Sequence, residues 1–180
     1  MHSLILHYYA PRVESPTQLQ ILGELNFRDI MSLVPTSVSV ISCREESLIY
    51  GCTISSLVSV DVQEEKPAIV FVLKKQSLVG EKIKAFDFFT INVLSASQDE
   101  IAQKYSADRS PENISDHGWI IEGDFAEIPK CRITMNCNLL TIYNNHAADV
   151  FVGQVIKYSG DQSQASLIYD ARRYGRFQSN

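Results

Sequence analysis

The chain has 180 residues, of which 45% are hydrophobic and 21% are charged. This composition is that of an ordinary globular protein and excludes disordered and fibrous classes, and the length suits a single compact domain. The formal net charge is −5 and lysine and arginine form no basic stripe, so the sequence argues against a nucleic-acid partner.

The first 25 residues are interpreted as an N-terminal arm ahead of a domain that spans residues 26–180. The opening stretch "MHSLILHYYAPRV" contains a short apolar run, but it carries two histidines and lacks both a basic region and a small-residue cleavage site. It therefore does not resemble a signal peptide. No run approaches the roughly 20 apolar residues needed to span a bilayer. We expect a cytoplasmic protein with no membrane partner.

The four cysteines are Cys43, Cys52, Cys131 and Cys137, and they form no CxxC pair. They fall in or near segments of alternating apolar residues, where cysteine behaves as a small buried hydrophobe. We expect free thiols and no metal site.

A short helix is predicted over residues 26–34, capped by Asn26 and ended by Pro35, because its apolar residues recur at helical spacing. The segments "TSVSVISC" and "CTISSLVSV" then alternate polar with β-branched residues on either side of the polar stretch "REESLIYG". This pattern predicts an antiparallel pair of strands. The apolar run in "AIVFVLKK" at 68–75 predicts a central strand covered on both faces.

Two helices are predicted around the strand "FFTINVLS". The first, "SLVGEKIKAF", is capped by Ser77 and turns Leu78, Ile83 and Phe86 inward. The second, "SQDEIAQKYS", begins at Ser97 with a glutamate three residues later. Residues 107–129 have turn-forming residues and no sustained period, which predicts a long covering loop.

The last predicted hairpin joins "CRITMNCNLLTIYN" to "DVFVGQVIKYSG". Gly153 interrupts the second strand, which indicates a close approach to its backbone. Strands dominate, and helices and strands do not alternate strictly. The predicted fold class is therefore mainly β with added helices, and a barrel fits better than a doubly wound sheet.

Phosphate-loop, dinucleotide-glycine, zinc-protease and nucleophile-elbow motifs are absent from the sequence. The hydroxyl-rich strand end "CTISSLVSVD" is followed by "LKKQS" at 73–77, where Ser77 opens a helix and Lys74 or Lys75 supplies charge. A helix N-terminus with a nearby cation is an anion site. Together the two stretches predict a site for a phosphorylated cofactor. The alternative is an edge strand whose hydroxyls face water.

Several segments, in order, resemble the flavin-reductase-like proteins, the short-chain FMN reductases of two-component monooxygenases. The resemblance covers residues 26–177 and rests on "FRDIMSLVPTSVSVIS", "GCTISSLVSVD", "KPAIVFVLKKQS", "FFTINVLSASQDEIAQKYS", "FVGQV" and "LIYDARRYGRF". It implies a six-stranded antiparallel split β-barrel, the FMN-binding split barrel. It also implies a homodimer that binds FMN or FAD near the subunit interface.

The resemblance also implies which residues bind the flavin. By this resemblance, Thr53, Ser55 and Ser56 would contact the isoalloxazine ring and the ribityl chain. Lys75 and Ser77 would contact the phosphate. Two further residues match the family, each with an alternative role. Asn92 matches a family asparagine, although a buried strand amide satisfied by backbone is an equal interpretation. Tyr174 matches the aromatic residue of the closing "RRY", with packing at the dimer seam as its alternative.

The activity that the resemblance implies is hydride transfer from NAD(P)H to the flavin, which would supply reduced flavin to a partner monooxygenase. Backbone N–H groups and hydroxyls can support this transfer without a titratable acid or base. Two other hypotheses stay open. One is a flavin-binding split barrel that acts as a biosynthetic enzyme on an organic substrate, and the other is a binding module with an empty pocket.

The sequence departs from the family pattern at three positions. Relatives carry a histidine five residues before the strand glycine, where this chain has Ala148, and His146 lies two residues further out. His146 is therefore an offset candidate for a catalytic imidazole, with a solvent-facing loop histidine as the alternative. Val79 stands where relatives have a threonine near the phosphate, and Ser37 where they have a glycine.

Overall fold

The computed structural model describes residues 26–62, 65–107, 110–115 and 118–176. The chain divides after Met31 into two units, each considered by itself. The predicted arm, residues 1–25, lies outside the described residues, and the domain boundary at residue 26 stays a prediction. Among the described residues no helix is both long enough and apolar enough to cross a bilayer.

Three helices and thirteen strands make up the described residues. In chain order they are α1 (Phe27–Ser32), β1 (Thr36–Ser37), β2 (Ser39–Glu45), β3 (Leu48–Ile54), β4 (Val58–Asp61), β5 (Ala68–Lys74), α2 (Leu78–Phe86), β6 (Phe88–Val93), α3 (Asp99–Ala107), β7 (Glu112–Asn113), β8 (Ile120–Glu122), β9 (Phe125–Glu127), β10 (Ile133–Asn144), β11 (Ala148–Gly160), β12 (Leu167–Asp170) and β13 (Arg173–Arg176).

One large antiparallel sheet of eight strands organises the fold, in the order β4-β5-β11-β10-β6-β2-β3-β7. Strands β1, β12 and β13 form a separate three-stranded sheet, and β8 pairs with β9. The mainly β, antiparallel class with few helices is therefore confirmed. Among the described residues, strand pairing ends at β4 and β7 without joining them. The six-stranded split barrel stays a prediction.

An antiparallel pair of strands is present as β2 and β3, but β3 begins at Leu48 inside the predicted polar turn, so the predicted placement of the second strand at residues 52–60 is wrong. The predicted hairpin is confirmed as β10 and β11. The predicted first helix is α1, which ends at Ser32, three residues before Pro35. The amide N–H of Asp29 donates to the Asn26 side-chain oxygen at 3.1 Å, so Asn26 caps α1 as expected.

Two details of the predicted helices are wrong. In α2 the buried residues are Val79, Gly80 and Ile83, whereas Leu78 is 40% exposed. Helix α3 begins at Asp99 and not at Ser97. The side-chain oxygen of Gln98 accepts from the backbone N–H of Ser95 at 2.9 Å, so the chain turns once more before the helix starts.

Strand β5 has only one covered face in this chain, contrary to the prediction of two. Ile69, Phe71 and Leu73 are buried, while Val72 on the opposite face is 37% exposed. The residues that the structure describes do not supply the cover that the sequence pattern predicts for this outer face.

Three phenylalanines fill the core under the sheet. The rings of Phe71 and Phe151 stack with centroids 5.2 Å apart, and the edge of Phe89 meets Phe71 at 5.1 Å. A Cβ added at Gly153 would lie 2.4 Å from Cζ of Phe89. The close approach predicted at this glycine is therefore made by the ring of Phe89.

We expect Gly153→Ala to lower the free energy of unfolding by about 1–3 kcal/mol, because the new methyl group collides with a buried ring. Gly175→Ala is the matched control, since an added Cβ there meets no heavy atom within 4 Å among the described residues. Urea unfolding of both variants measures the difference. Equal midpoints for the two variants would contradict the Phe89 contact.

Candidate functional site

A pocket of about 410 Å³ opens where the chain leaves β3 and re-enters the sheet as β4. The predicted "CTISSLVSV" strand is broken there, because Ser55–Leu57 lies outside both strands. The pocket is lined by Cys52, Thr53, Ile54, Ser55, Ser56, Val72, Leu73, Lys74, Ser77 and Ser106. The structure thus brings together four of the residues predicted to bind a cofactor, namely Thr53, Ser55, Ser56 and Ser77.

The hydroxyl groups of Thr53, Ser55 and Ser56, which line one wall of the pocket, differ in their hydrogen bonds. Thr53 Oγ1 donates to the carbonyl of Ala102 in α3 at 2.8 Å, so it presents only its lone pairs to the pocket. Ser56 Oγ accepts from the backbone N–H of Val72 at 3.0 Å and ties the loop to β5. Ser55 is exposed. Its hydroxyl is therefore the one best placed to donate to a ligand.

The opposite wall is the N-terminus of α2. Ser77 is 6% exposed, and its side chain accepts from the N–H of Gly80 at 3.3 Å, which confirms it as the helix cap. The first N–H groups of a helix have no carbonyl partner within it and attract an anion. Lys74 lines the pocket beside this helix end. Lys75 follows in the turn, and its backbone N–H donates to the carbonyl of Ala147 at 3.3 Å.

Asn92 lies in the core and does not line the pocket. It is 0% exposed, and its side-chain nitrogen donates to the carbonyl of Val40 at 3.2 Å and to Ser42 Oγ at 3.0 Å. Its side-chain oxygen accepts from the N–H of Ile128 at 2.8 Å. The alternative interpretation, a satisfied buried amide, describes this position. Asn92 anchors the segment after β9 to the sheet.

Tyr174 lines a second pocket of about 220 Å³ that shares Thr53, Ile54, Ser55 and Ser106 with the first. Partial burial, followed by the neighbouring Tyr169, raises the pKa of Tyr174, so its hydroxyl remains a protonated donor. The two rings are 5.3 Å apart. Tyr174 therefore extends the hydroxyl-lined wall beyond Ser55.

His146 lies in the turn between β10 and β11 and is exposed. Its backbone N–H donates to the side-chain oxygen of Asn145 at 2.6 Å. It is not among the residues that line the pocket. The structure thus leaves the offset histidine at a hairpin tip, and its catalytic role stays a prediction.

Sequence reasoning missed Ser106, which reaches the pocket from the last turn of α3. No local pattern marks it, because its place depends on how α3 packs on β3. The ion pair between buried Asp149 and exposed Lys84 was also missed. Lys84 Nζ lies 2.5 Å from Asp149 Oδ2, and it joins α2 to β11.

All four cysteines are free. Burial raises the pKa of Cys43, Cys131 and Cys137 to about 12 in each case. Cys52 is half-buried and lines the first pocket. It is the thiol that a reagent entering the pocket would meet.

Residues 31–178 match the family described as "Flavin reductase like domain". One relative is the reductase component of an FADH(2)-dependent resorcinol hydroxylase from Rhizobium sp. (strain MTP-10005), 24% identical over 153 residues that cover 83% of this chain and 84% of the relative. Another is an NADH-dependent FAD reductase from Streptomyces globisporus, 21% identical over 174 residues that cover 93% and 94%.

Solved structures show the same fold. The NADH:FAD oxidoreductase of Streptomyces globisporus C-1027 superposes with a TM-score of 0.76 at 20% identity, covering 85% of this chain and 92% of that one. The styrene monooxygenase flavin reductase of Pseudomonas putida S12 gives 0.75 at 20% identity, covering 87% and 99%. At these identities the structural likeness concerns the fold alone.

We expect one thiol per chain, Cys52, to react with Ellman's reagent in the native protein at pH 8. A thiol with a pKa of about 12 is ionised to only about one part in ten thousand at that pH. All four should react in denaturant, and Cys52→Ser should remove the native reaction. Fast labelling of the Cys52→Ser variant under native conditions would contradict this assignment.

Proposed function

The chain belongs to the flavin reductase-like domain family, and on that premise we propose that it is an NAD(P)H:flavin oxidoreductase that reduces FMN or FAD. We further propose that it supplies the reduced flavin to a partner monooxygenase. The observation that carries the proposal is the pocket itself, in which a hydroxyl-lined wall faces a capped helix N-terminus with a lysine beside it. The two relatives, the reductase component of an FADH(2)-dependent hydroxylase and an NADH-dependent FAD reductase, support the same chemistry.

The residues present fit a flavin mononucleotide. The pocket of about 410 Å³ and its neighbour of about 220 Å³ share one wall, and together they fall within the size range of cofactor sites. Lys74, Lys75, Ser77 and the first N–H groups of α2 would hold the phosphate. A bound flavin would supply the hydride-accepting ring.

The remaining residues would bind and orient the ring. Ser55 and Tyr174 offer hydroxyl donors, and Thr53 offers an acceptor because its proton is committed to Ala102. Donors fixed in place stabilise negative charge as it develops, and this requires no acid or base with a perturbed pKa. This arrangement suits hydride transfer better than hydrolysis, which needs an activated nucleophile.

We also propose a homodimer, with the outer face of β4, β5 and β11 as the contact. Val58 stands opposite Val70, which stands opposite Val152, and Val72 stands opposite Val150. This row of valines is apolar, and Val58 is 61% exposed in the single chain. Val72 and Ser56 belong both to this region and to the pocket lining. A second copy would therefore cover the pocket as it buries the valines.

One observation favours the alternative of a flavin-binding enzyme that acts on an organic substrate instead of NAD(P)H. Ala148, at the position where the family histidine is expected, is paired with Lys74 in β5 and carries no titratable group. His146 lies outside the pocket lining. The reductant side of the site therefore differs from the family pattern, and only turnover decides between the two functions.

The test is oxidation of NADH and NADPH by the purified chain with added FMN or FAD. We expect flavin-dependent turnover above the rate in buffer. We also expect His146→Ala to keep kcat within about twofold, because loss of a working general acid or base typically costs about 10²–10⁴ in rate. No turnover with either reductant would reject the reductase. A fall of that size in His146→Ala would make the imidazole catalytic.

A second test separates the phosphate end from the ring end. We expect Lys74→Ala to weaken FMN binding by about 10- to 100-fold, since a hydrogen bond to a charged group contributes about 1.5–3 kcal/mol. Riboflavin binding should stay unchanged because riboflavin has no phosphate. Lys75→Ala tests the neighbouring lysine in the same way, and Lys66→Ala is the matched control. Fluorescence titration measures both ligands. An equal loss for FMN and riboflavin would contradict the phosphate assignment.

A further inference from the structure

A largely buried carboxylate holds the last turn of α3 from outside the flavin site. The side chain of Glu112 in β7 is 12% exposed. One of its oxygens accepts from the hydroxyl of Tyr105 at 2.9 Å, and the other lies 2.5 Å from Nζ of Lys104. Glu112 is not among the described residues that line either pocket of the site. Any effect of this carboxylate on a bound ligand would therefore be indirect.

The sheet fixes Glu112 beside the strand that carries the hydroxyl groups. Strand β7 pairs with β3 so that Glu112 stands opposite Ile49, and directly opposed residues project from the same face of a sheet. Ile49, Gly51 and Thr53 alternate along β3 and share one face. Glu112 therefore lies on the face of the sheet against which α3 packs.

Three contacts along this face attach α3 to the sheet. The hydroxyl of Tyr105 donates to Glu112, and the ring of Tyr105 lies against the bare backbone of Gly51. Further along, the carbonyl of Ala102 accepts from Thr53 Oγ1 at 2.8 Å. Hydrogen bonds to an ionised carboxylate are roughly twice as strong as those between neutral groups. We therefore expect Glu112 to contribute most to holding the last turn.

The burial of Tyr105 makes this attachment sensitive to the charge of Glu112. Tyr105 is 5% exposed. Its burial, followed by the bond to Glu112, raises the pKa of Tyr105, so the hydroxyl stays protonated and donates to the carboxylate. Loss of the charged acceptor would weaken this bond and remove the ion pair with Lys104. A buried polar group that loses its partner costs stability beyond the bond itself.

The same three groups attach the other helix of the site. Glu45 of β2 accepts from the hydroxyl of Tyr50 at 2.8 Å and from Nζ of Lys82 in α2 at 2.6 Å. In this case the lysine alone belongs to the helix, and the tyrosine belongs to β3. The two carboxylates thus act on different helices, and a change at Glu45 provides a comparison for a change at Glu112.

We propose that Glu112 is a positioning residue for the ring end of the flavin site. By holding Tyr105 and Lys104 it fixes the last turn of α3. The fixed helix then places Thr53 and Ser106 in the pocket lining. The inference rests on the proposed function, because it takes this part of the lining as the part that binds the flavin ring.

Glu112→Gln in the full chain tests the proposal, because it removes the charge and keeps the size of the side chain. We expect the Kd for riboflavin and the Kd for FMN to rise by the same factor, about tenfold, since the two ligands share the ring. Glu122→Gln is the matched control, because Glu122 pairs with Lys157 on the surface and is not among the described residues that line either pocket. Both Kd values of the control should stay within about twofold of the wild-type values.

An unchanged Kd for riboflavin in Glu112→Gln would overturn the proposal. An equal rise in the Kd for riboflavin in Glu45→Gln would also overturn it, because the loss would then follow from loosening either helix and would not be specific to α3.

Tyr105→Phe tests whether Glu112 acts through the tyrosine, because it removes the hydroxyl and keeps the ring on Gly51. We expect this variant to raise the Kd for riboflavin. The double variant with Glu112→Gln should then bind riboflavin no more weakly than Glu112→Gln alone, since both changes break the same bond. Losses that add in the double variant would contradict the route through Tyr105.

Hydrogen exchange of the ligand-free chain provides a readout that needs no flavin. We expect the amides of residues 103–107 to exchange about tenfold faster or more in Glu112→Gln than in the wild-type chain or in Glu122→Gln, because the last turn opens more often. Unchanged exchange in this segment would overturn the proposal. If the wild-type chain binds neither FMN nor riboflavin, the proposed function fails, while hydrogen exchange still decides whether Glu112 holds α3.

Discussion

The contact between the ring of Tyr105 and the bare backbone of Gly51 is the constraint on which the site depends. A Cβ at Gly51 would lie 2.4 Å from Cδ1 of that ring, so any other residue would hold α3 away from β3. With α3 seated, Thr53 reaches the carbonyl of Ala102 at 2.8 Å. Ser106 then comes to the pocket from the end of the same helix. The absence of a side chain at Gly51 therefore lets α3 pack against β3. This packing positions Thr53 at the end of β3 and Ser106 at the end of α3.

The second half of the site depends on how α2 is held against the sheet. The ring of Phe151 lies 3.3 Å from the Cβ position of Gly80, and Lys84 bonds to the buried Asp149. Lys82 at the middle of the helix bonds to Glu45 of β2 at 2.6 Å. These contacts fix the N-terminus of α2 opposite the hydroxyl-bearing loop. Rigid elements therefore hold the pocket on both sides, which favours precise positioning of a ligand.

Local patterns predicted much of the fold and part of the site. The Asn26 and Ser77 caps depend on residues three positions along the chain, and the structure confirms both. The close approach at Gly153 is also confirmed, although the ring that makes it belongs to the distant Phe89. The start of α3 was mispredicted because the side chain of Gln98 bonds to the N–H of Ser95 at 2.9 Å, a contact that no propensity records. Packing between distant segments determines three features that local patterns did not predict. They are the break between β3 and β4 at residues 55–57, the exposed outer face of β5, and the position of Ser106 in the pocket lining. Asn92 shows the same limit, since its bonds to Val40 and Ile128 span 52 and 36 residues.

Under the proposed function, the capped end of α2 and the hydroxyl-lined end of β3 form one flavin site. A crystal structure of the chain with bound FMN tests it most directly. We expect the phosphate at the N–H groups of Leu78 and Val79, beside Lys74, with the ring along Thr53 and Ser55 and its far edge toward Tyr174. Electron density for FMN on another surface, or with the phosphate at the Tyr174 end, would contradict this site.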